Sequence, residues 1–134
     1  MHELVILTTA IDRPELHSAL LPHTLKYIEG LNCKWFITIN NIDGRVEETK
    51  ENFKKLLSDY DVTFTTYDTG GTKMDFMHSC EQLSRYGHET SPSIGYFWLE
   101  DDWMVASDYR LKTDIDKLFK PESCHISLAN RTEL

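Results

Sequence analysis

Four short runs of apolar, β-branched and aromatic residues, separated by longer stretches of helical periodicity, constrain this chain more than any single motif does. The runs are Glu3–Thr9, Lys34–Asn40, Val62–Tyr67 and the stretch that begins at Ile94 and ends in Glu100-Asp101-Asp102-Trp103. Between them the spacing predicts helices over Pro14–Glu29, Arg45–Tyr60 and Met74–Tyr86. Strand and helix in strict alternation pack through right-handed βαβ crossovers, so the expected fold is α/β: a mostly parallel, Rossmann-like sheet with helices on both faces.

The details carry further expectations. Leu4-Val5-Ile6-Leu7 alternates too little for a half-exposed strand and reads as a central one, followed by a loop over Thr8–Arg13. Pro14 suits the first turn of a helix, where its missing N–H would have had no partner. Leu16, Leu20, Tyr27 and Leu31 would form one buried face, Pro22 should kink or break the helix near Leu21, and Gly30 should end it. In the second helix Val46, Phe53, Leu56, Leu57 and Tyr60 face inward. Asp68-Thr69-Gly70-Gly71-Thr72 reads as a loop, followed by a helix with Met74, Met77, Cys80 (or Phe76) and Leu83 inward and Gly87 at its end. The fourth strand reads as buried on both faces; a helix over Tyr109–Phe119 and a short strand over Cys124–Leu128 complete the expectation.

A length of 134 residues fits one domain, 1–134, with one core. The 14 basic residues are scattered among 22 acidic ones, a net charge of −8, which argues against nucleic acid as a partner. An anionic small ligand would then need a cation to bridge it. Cys33, Cys80 and Cys124 lie far apart without C-x-x-C spacing, so reduced thiols are expected rather than zinc or disulfides. No apolar run approaches the ~20 residues of a membrane span, and the chain enters its first strand without a charged leader, so a cytoplasmic protein is expected. The histidines show no ligand spacing; His17, His23 and His78 read as helix-face residues and His125 as a strand residue.

In open parallel sheets ligands bind outside the carboxyl ends of the strands. Those ends carry Thr8-Thr9, Asn40-Asn41, Asp68-Thr69 and Glu100-Asp101-Asp102. Three successive carboxylates repel one another unless water, a cation or a donor relieves them, and a hard ion such as Mn²⁺ or Mg²⁺ is the natural partner. Glu100 and Asp102 are the candidate ligands on a pyrophosphate. Thr8, Thr9 and the Asn40-Asn41-Asp43 cluster offer hydrogen bonds to a base and ribose, and Arg13 and Lys73 offer positive charge. Gly70-Gly71 has neither the G-x-G-x-x-G nor the G-x-x-x-x-G-K-[ST] spacing and reads as a hinge or close-approach loop. Trp103 is placed to stack on a sugar or to pack under a loop.

Over roughly residues 3–105 this order of elements resembles the glycosyltransferases of the GT-A fold, broadly the family 2-like group, with Phe97-Trp98-Leu99-Glu100-Asp101-Asp102 similar to a strand ending in a D-x-D motif. The resemblance implies Asp102 on Mn²⁺ or Mg²⁺, Glu100 or Asp101 near the ribose, Thr8 and Thr9 as nucleotide contacts, Asn41 or Asp43 toward the base, Lys73 as the basic residue after the third strand, and Arg13 in its Thr-Thr-x-x-x-Arg-Pro opening. The function implied is metal-dependent transfer of a sugar from a nucleotide-diphosphate sugar to an acceptor hydroxyl on a glycan, lipid or protein. Such transferases usually continue into an acceptor-binding half with a catalytic carboxylate. Here Asp108, Asp114, Asp116 and Glu122 follow the motif, and none is singled out as the base. The alternative is a non-catalytic nucleotide-sugar or cation-binding module that needs a partner chain, either another protein or a second copy. A sugar-phosphate nucleotidyltransferase should carry a glycine-rich loop after the first strand, and a phosphoacceptor receiver should carry its acids closer to that strand than Asp12.

Overall fold

The computed structural model describes residues 4–68, 73–90, 92 and 95–102. Its elements are β1 (Leu4–Ile11), α1 (Pro14–Tyr27), β2 (Cys33–Asn41), α2 (Val46–Leu56), β3 (Asp61–Asp68), α3 (Lys73–Glu89) and β4 (Gly95–Trp98). The strands form one sheet in the order β3-β2-β1-β4, with every pairing parallel. The α/β fold expected from the alternation of elements is therefore observed.

This order places the helices. The crossovers β1-α1-β2 and β2-α2-β3 step the same way across the sheet, whereas β3-α3-β4 returns past β1 to its other side. With crossovers of one hand, α1 and α2 cover one face and α3 the other. The side chains agree. Leu4, Ile6 and Ala10 of β1 and Trp35, Ile37 and Ile39 of β2 pack with Leu21, Tyr27, Phe53 and Leu57 from the α1/α2 side. Val5, Leu7 and Phe36, on alternate positions, pack with Leu83 and Tyr86 of α3, and the Phe36 and Tyr86 rings stack at 5.4 Å. Each fully buried large apolar side chain contributes about 1.5–3 kcal/mol relative to exposure. The strand order reverses between β1 and β4, so their carboxyl ends flank a topological switch point, where such sheets bind ligands.

The structure corrects several local expectations. β1 continues to Ile11 because its full length finds a partner in β2, through Ala10↔Ile39 and Ile11↔Asn40; Thr8 and Thr9 are strand residues, and the loop begins at Asp12. α1 passes through Pro22 unbroken. The Ser18 carbonyl that loses its donor there belongs, like Pro22, to the exposed side of the helix, where the loss costs least because the carbonyl is open to solvent. The buried face of α1 is Pro14, His17, Leu21, Thr24 and Tyr27, with Leu16 and Leu20 only half-buried. Gly30, at φ +84°, takes the left-handed conformation that turns the chain toward β2. In α2 the expected inward face holds: Phe53 and Leu57 are buried, and Val46, Leu56 and Tyr60 pack against them.

α3 runs through Gly87 to Glu89, and its inward residues are Ser79, Leu83 and Gly87; Met77 is 64% exposed. β4 is only four residues long and lies at one end of the described sheet with Tyr96 exposed, so it is not the doubly buried strand its composition suggested. The helix expected over 109–119, the strand expected over 124–128, Trp103, residues 69–72 and the side chains of Met74 and Phe76 lie outside the described residues. No described helix is long and apolar enough to cross a membrane.

Candidate functional site

The acidic turn after β4 is fastened to the end of β1. Parallel pairing continues beyond the last formal residue of β4, with Leu99 N–H donating to the Leu7 carbonyl at 2.9 Å and Asp101 N–H to the Thr9 carbonyl at 3.2 Å. The Asp101 side chain then reaches across: its Oδ2 accepts from Ile11 N–H at 3.0 Å and pairs with His17 Nε2 at 2.8 Å. Since a carboxylate only accepts, the His17 nitrogen facing it carries the proton. His17 is itself a core residue, stacked on Phe53 at 4.3 Å between ring centroids. Asp101 thus serves as a brace joining β1, β4 and α1 through Oδ2, with its side chain 11% exposed.

A second buried carboxylate shapes the neighbouring loop. Asp12 is wholly enclosed and accepts from Ile42 N–H, from Asp43 N–H on both oxygens, and from Arg45 N–H at 2.8 Å. Burial pushes its carboxyl up, but the backbone donors of Arg45, Ile42 and Asp43 together hold it below the usual range. Asp12 therefore orders the β2–α2 loop as Asp101 orders the β4 turn. Asn41 accepts from Gly44 N–H at 3.1 Å, an internal turn bond. Arg13 and Asp43 face each other at 3.9 Å, both about half exposed, and join the ends of β1 and β2.

Of the remaining candidates, Glu100 is half-buried and Asp102 exposed. Burial first, then the Asp102 and Asp101 carboxylates, push the Glu100 carboxyl above its usual range; Glu100 in turn acts with burial to raise the Cys80 thiol on α3. Lys73 is the first residue of α3, at the carboxyl edge of the sheet by topology; its side chain lies outside the described residues. Thr8 and Thr9 do not stand at the rim. Both are buried, Thr8 toward α1 in a small void with His17, and Thr9 on the opposite face. There Thr9, Thr38 and Thr65 lie side by side in register across three strands, and the same register brings Glu100 next to Thr9. Ser79 of α3, the helix that packs on this face, is likewise buried.

The donor set fits a hard cation in one respect: two oxygen ligands, Glu100 and Asp102, share a turn with mutual repulsion that a cation would relieve. Among the described residues no three His, Cys, Asp or Glu side chains converge to hold an ion, so water and phosphate would complete its shell. His17 and Asp12 are the site residues that sequence reasoning missed. Strand alternation after Trp98 held a signal for the first, since it sends Asp101 toward α1 and Glu100 to the α3 side. Compared with known proteins, the chain matches no family model and no curated protein.

Proposed function

We propose that the chain is a nucleotide-sugar donor-binding domain of GT-A type, acting in metal-dependent glycosyl transfer. The observation that carries this reading is the fastening of the acidic turn to β1 by Asp101, which holds Glu100 and Asp102 at the carboxyl end of β1, at the switch point of a 3-2-1-4 sheet. When bound at Glu100 and Asp102, Mn²⁺ or Mg²⁺ would neutralise charge gathering on a departing diphosphate. Arg13 adds a cation after β1, and Lys73, at the start of α3, adds a second at the same edge of the sheet. The loop that Asp12 holds, with Asp43 at its tip and Asn41 at its base, borders the site on the β2 side and suits contacts to a base. Asp101 and His17 act indirectly, by keeping the turn in place.

Thermal melts with Mn²⁺ and UDP or GDP test this reading. It expects stabilisation that requires both metal and nucleotide and is lost in Asp102→Ala; indifference to every nucleoside diphosphate contradicts it. Transfer to an acceptor or hydrolysis of a nucleotide sugar would mark an enzyme, whereas binding without turnover would mark the module that works with a partner chain.

A further inference from the structure

We infer that the void between α1 and the sheet is a site for one water molecule, bound by His17, Thr8 and Trp35. The inference does not depend on the proposed function. The void measures about 10 Å³, the space one water centre needs and too small for any other ligand. Leu21, Phe53 and Leu99 make its apolar walls; His17, Thr8, Thr24 and Trp35 are among its polar ones, and Glu100 and Asp101 close it toward the turn. Three of these polar residues each have a fully buried polar atom without a partner: His17 Nδ1, Thr8 Oγ1 and Trp35 Nε1. That all three residues line one void points to a shared partner, because buried polar groups almost always find protein or water partners.

Their chemistry is complementary to a single water. The His17 proton lies on Nε2, toward Asp101, so in the neutral ring Nδ1 is an acceptor. The Trp35 indole N–H can only donate, and the Thr8 hydroxyl can do either. One water accepts from Trp35, donates to His17 Nδ1 and shares a bond with Thr8, which is the usual number of bonds for a buried water. The resulting chain runs from Trp35 in the middle of the sheet through the water and His17 to Asp101 and the turn. The water thus satisfies the ring nitrogen left bare by the tautomer that the Asp101 carboxylate sets.

Three measurements on the unaltered chain and one variant test this. A crystal structure that resolves ordered solvent is expected to show one peak within hydrogen-bond distance of His17 Nδ1, Thr8 Oγ1 and Trp35 Nε1. In solution the Trp35 indole proton, assigned by its loss in Trp35→Phe, is expected to give a cross-relaxation peak to water with the sign of a long-lived bound molecule. Nitrogen NMR of His17 should find the proton on Nε2 alone. Thr8→Val, which keeps the volume and removes one partner, should speed exchange of that indole proton at least tenfold. An empty void, a direct bond from Nδ1 to a protein group, or a proton resident on Nδ1 with Nε2 bare would overturn the inference.

Discussion

His17 and Asp101, 84 positions apart, meet at 2.8 Å with the imidazole almost wholly buried, and through that contact α1 holds the turn at the end of β4. His17→Ala removes the partner of a largely buried carboxylate and the ring stacked on Phe53 together. We expect a loss of about 2–4 kcal/mol in urea denaturation, in the range for breaking a buried network and opening a cavity. His17→Gln, whose amide can still donate to Asp101, should lose less than half as much.

Asp12 gives the stability a defined acid limb. Its folded carboxyl sits below the value of an unfolded aspartate, about 3.9, so its contribution is complete above that pH and disappears as pH falls through the folded value. Glu15 and Glu48 are lowered by Arg45 in the same direction, but both are exposed and salt weakens their share. Denaturation at high salt between neutral pH and pH 2 should therefore show stability falling below about pH 4. Asp12→Asn should flatten that limb and cost about 2–3 kcal/mol at neutral pH, because its amide cannot accept from all the donors of the 42–45 loop.

Gly87 lies within α3, where alanine would ordinarily gain about 1 kcal/mol. A Cβ there would stand 3.2 Å from Tyr96 Cε1 and 3.4 Å from Leu7 Cδ1. The Tyr96 ring cannot easily give way, since its hydroxyl donates to the carbonyls at the end of α3, Gly87 at 2.6 Å and Thr90 at 2.8 Å. Gly87→Ala should thus destabilise by about 0.5–1.5 kcal/mol, while the same change in a Tyr96→Ala background should stabilise. A double-mutant cycle by thermal denaturation measures the sign change.

The order of strands and helices was legible because each apolar run and each helical period is a local signal. What was misread depends on partners far along the chain. Thr8-Thr9-Ala10 reads as a loop until β2 pairs with it, and Pro22 reads as a break until its lost bond is found on the solvent side. His17 and Thr24 were passed over on α1 because polar residues rarely define a buried face, and here they sit over the void and the Asp101 brace. The pairing of the acidic turn with the end of β1 follows from the strand order, but the brace made by one Asp101 oxygen, to Ile11 N–H and His17, depends on residues 90 and 84 positions away and is not visible locally.

The central claim is that a divalent ion binds at Glu100 and Asp102 beside the end of β1, and paramagnetic broadening by Mn²⁺ tests it most directly. In a nitrogen–proton correlation spectrum, substoichiometric Mn²⁺ should first erase the amide signals of Arg13, Glu100, Asp101 and Asp102 and spare those at the amino-terminal edge of the sheet, such as Cys33 and Asp61. Asp102→Ala should remove that selectivity. Uniform broadening, or broadening centred away from the β4 turn, would contradict the account.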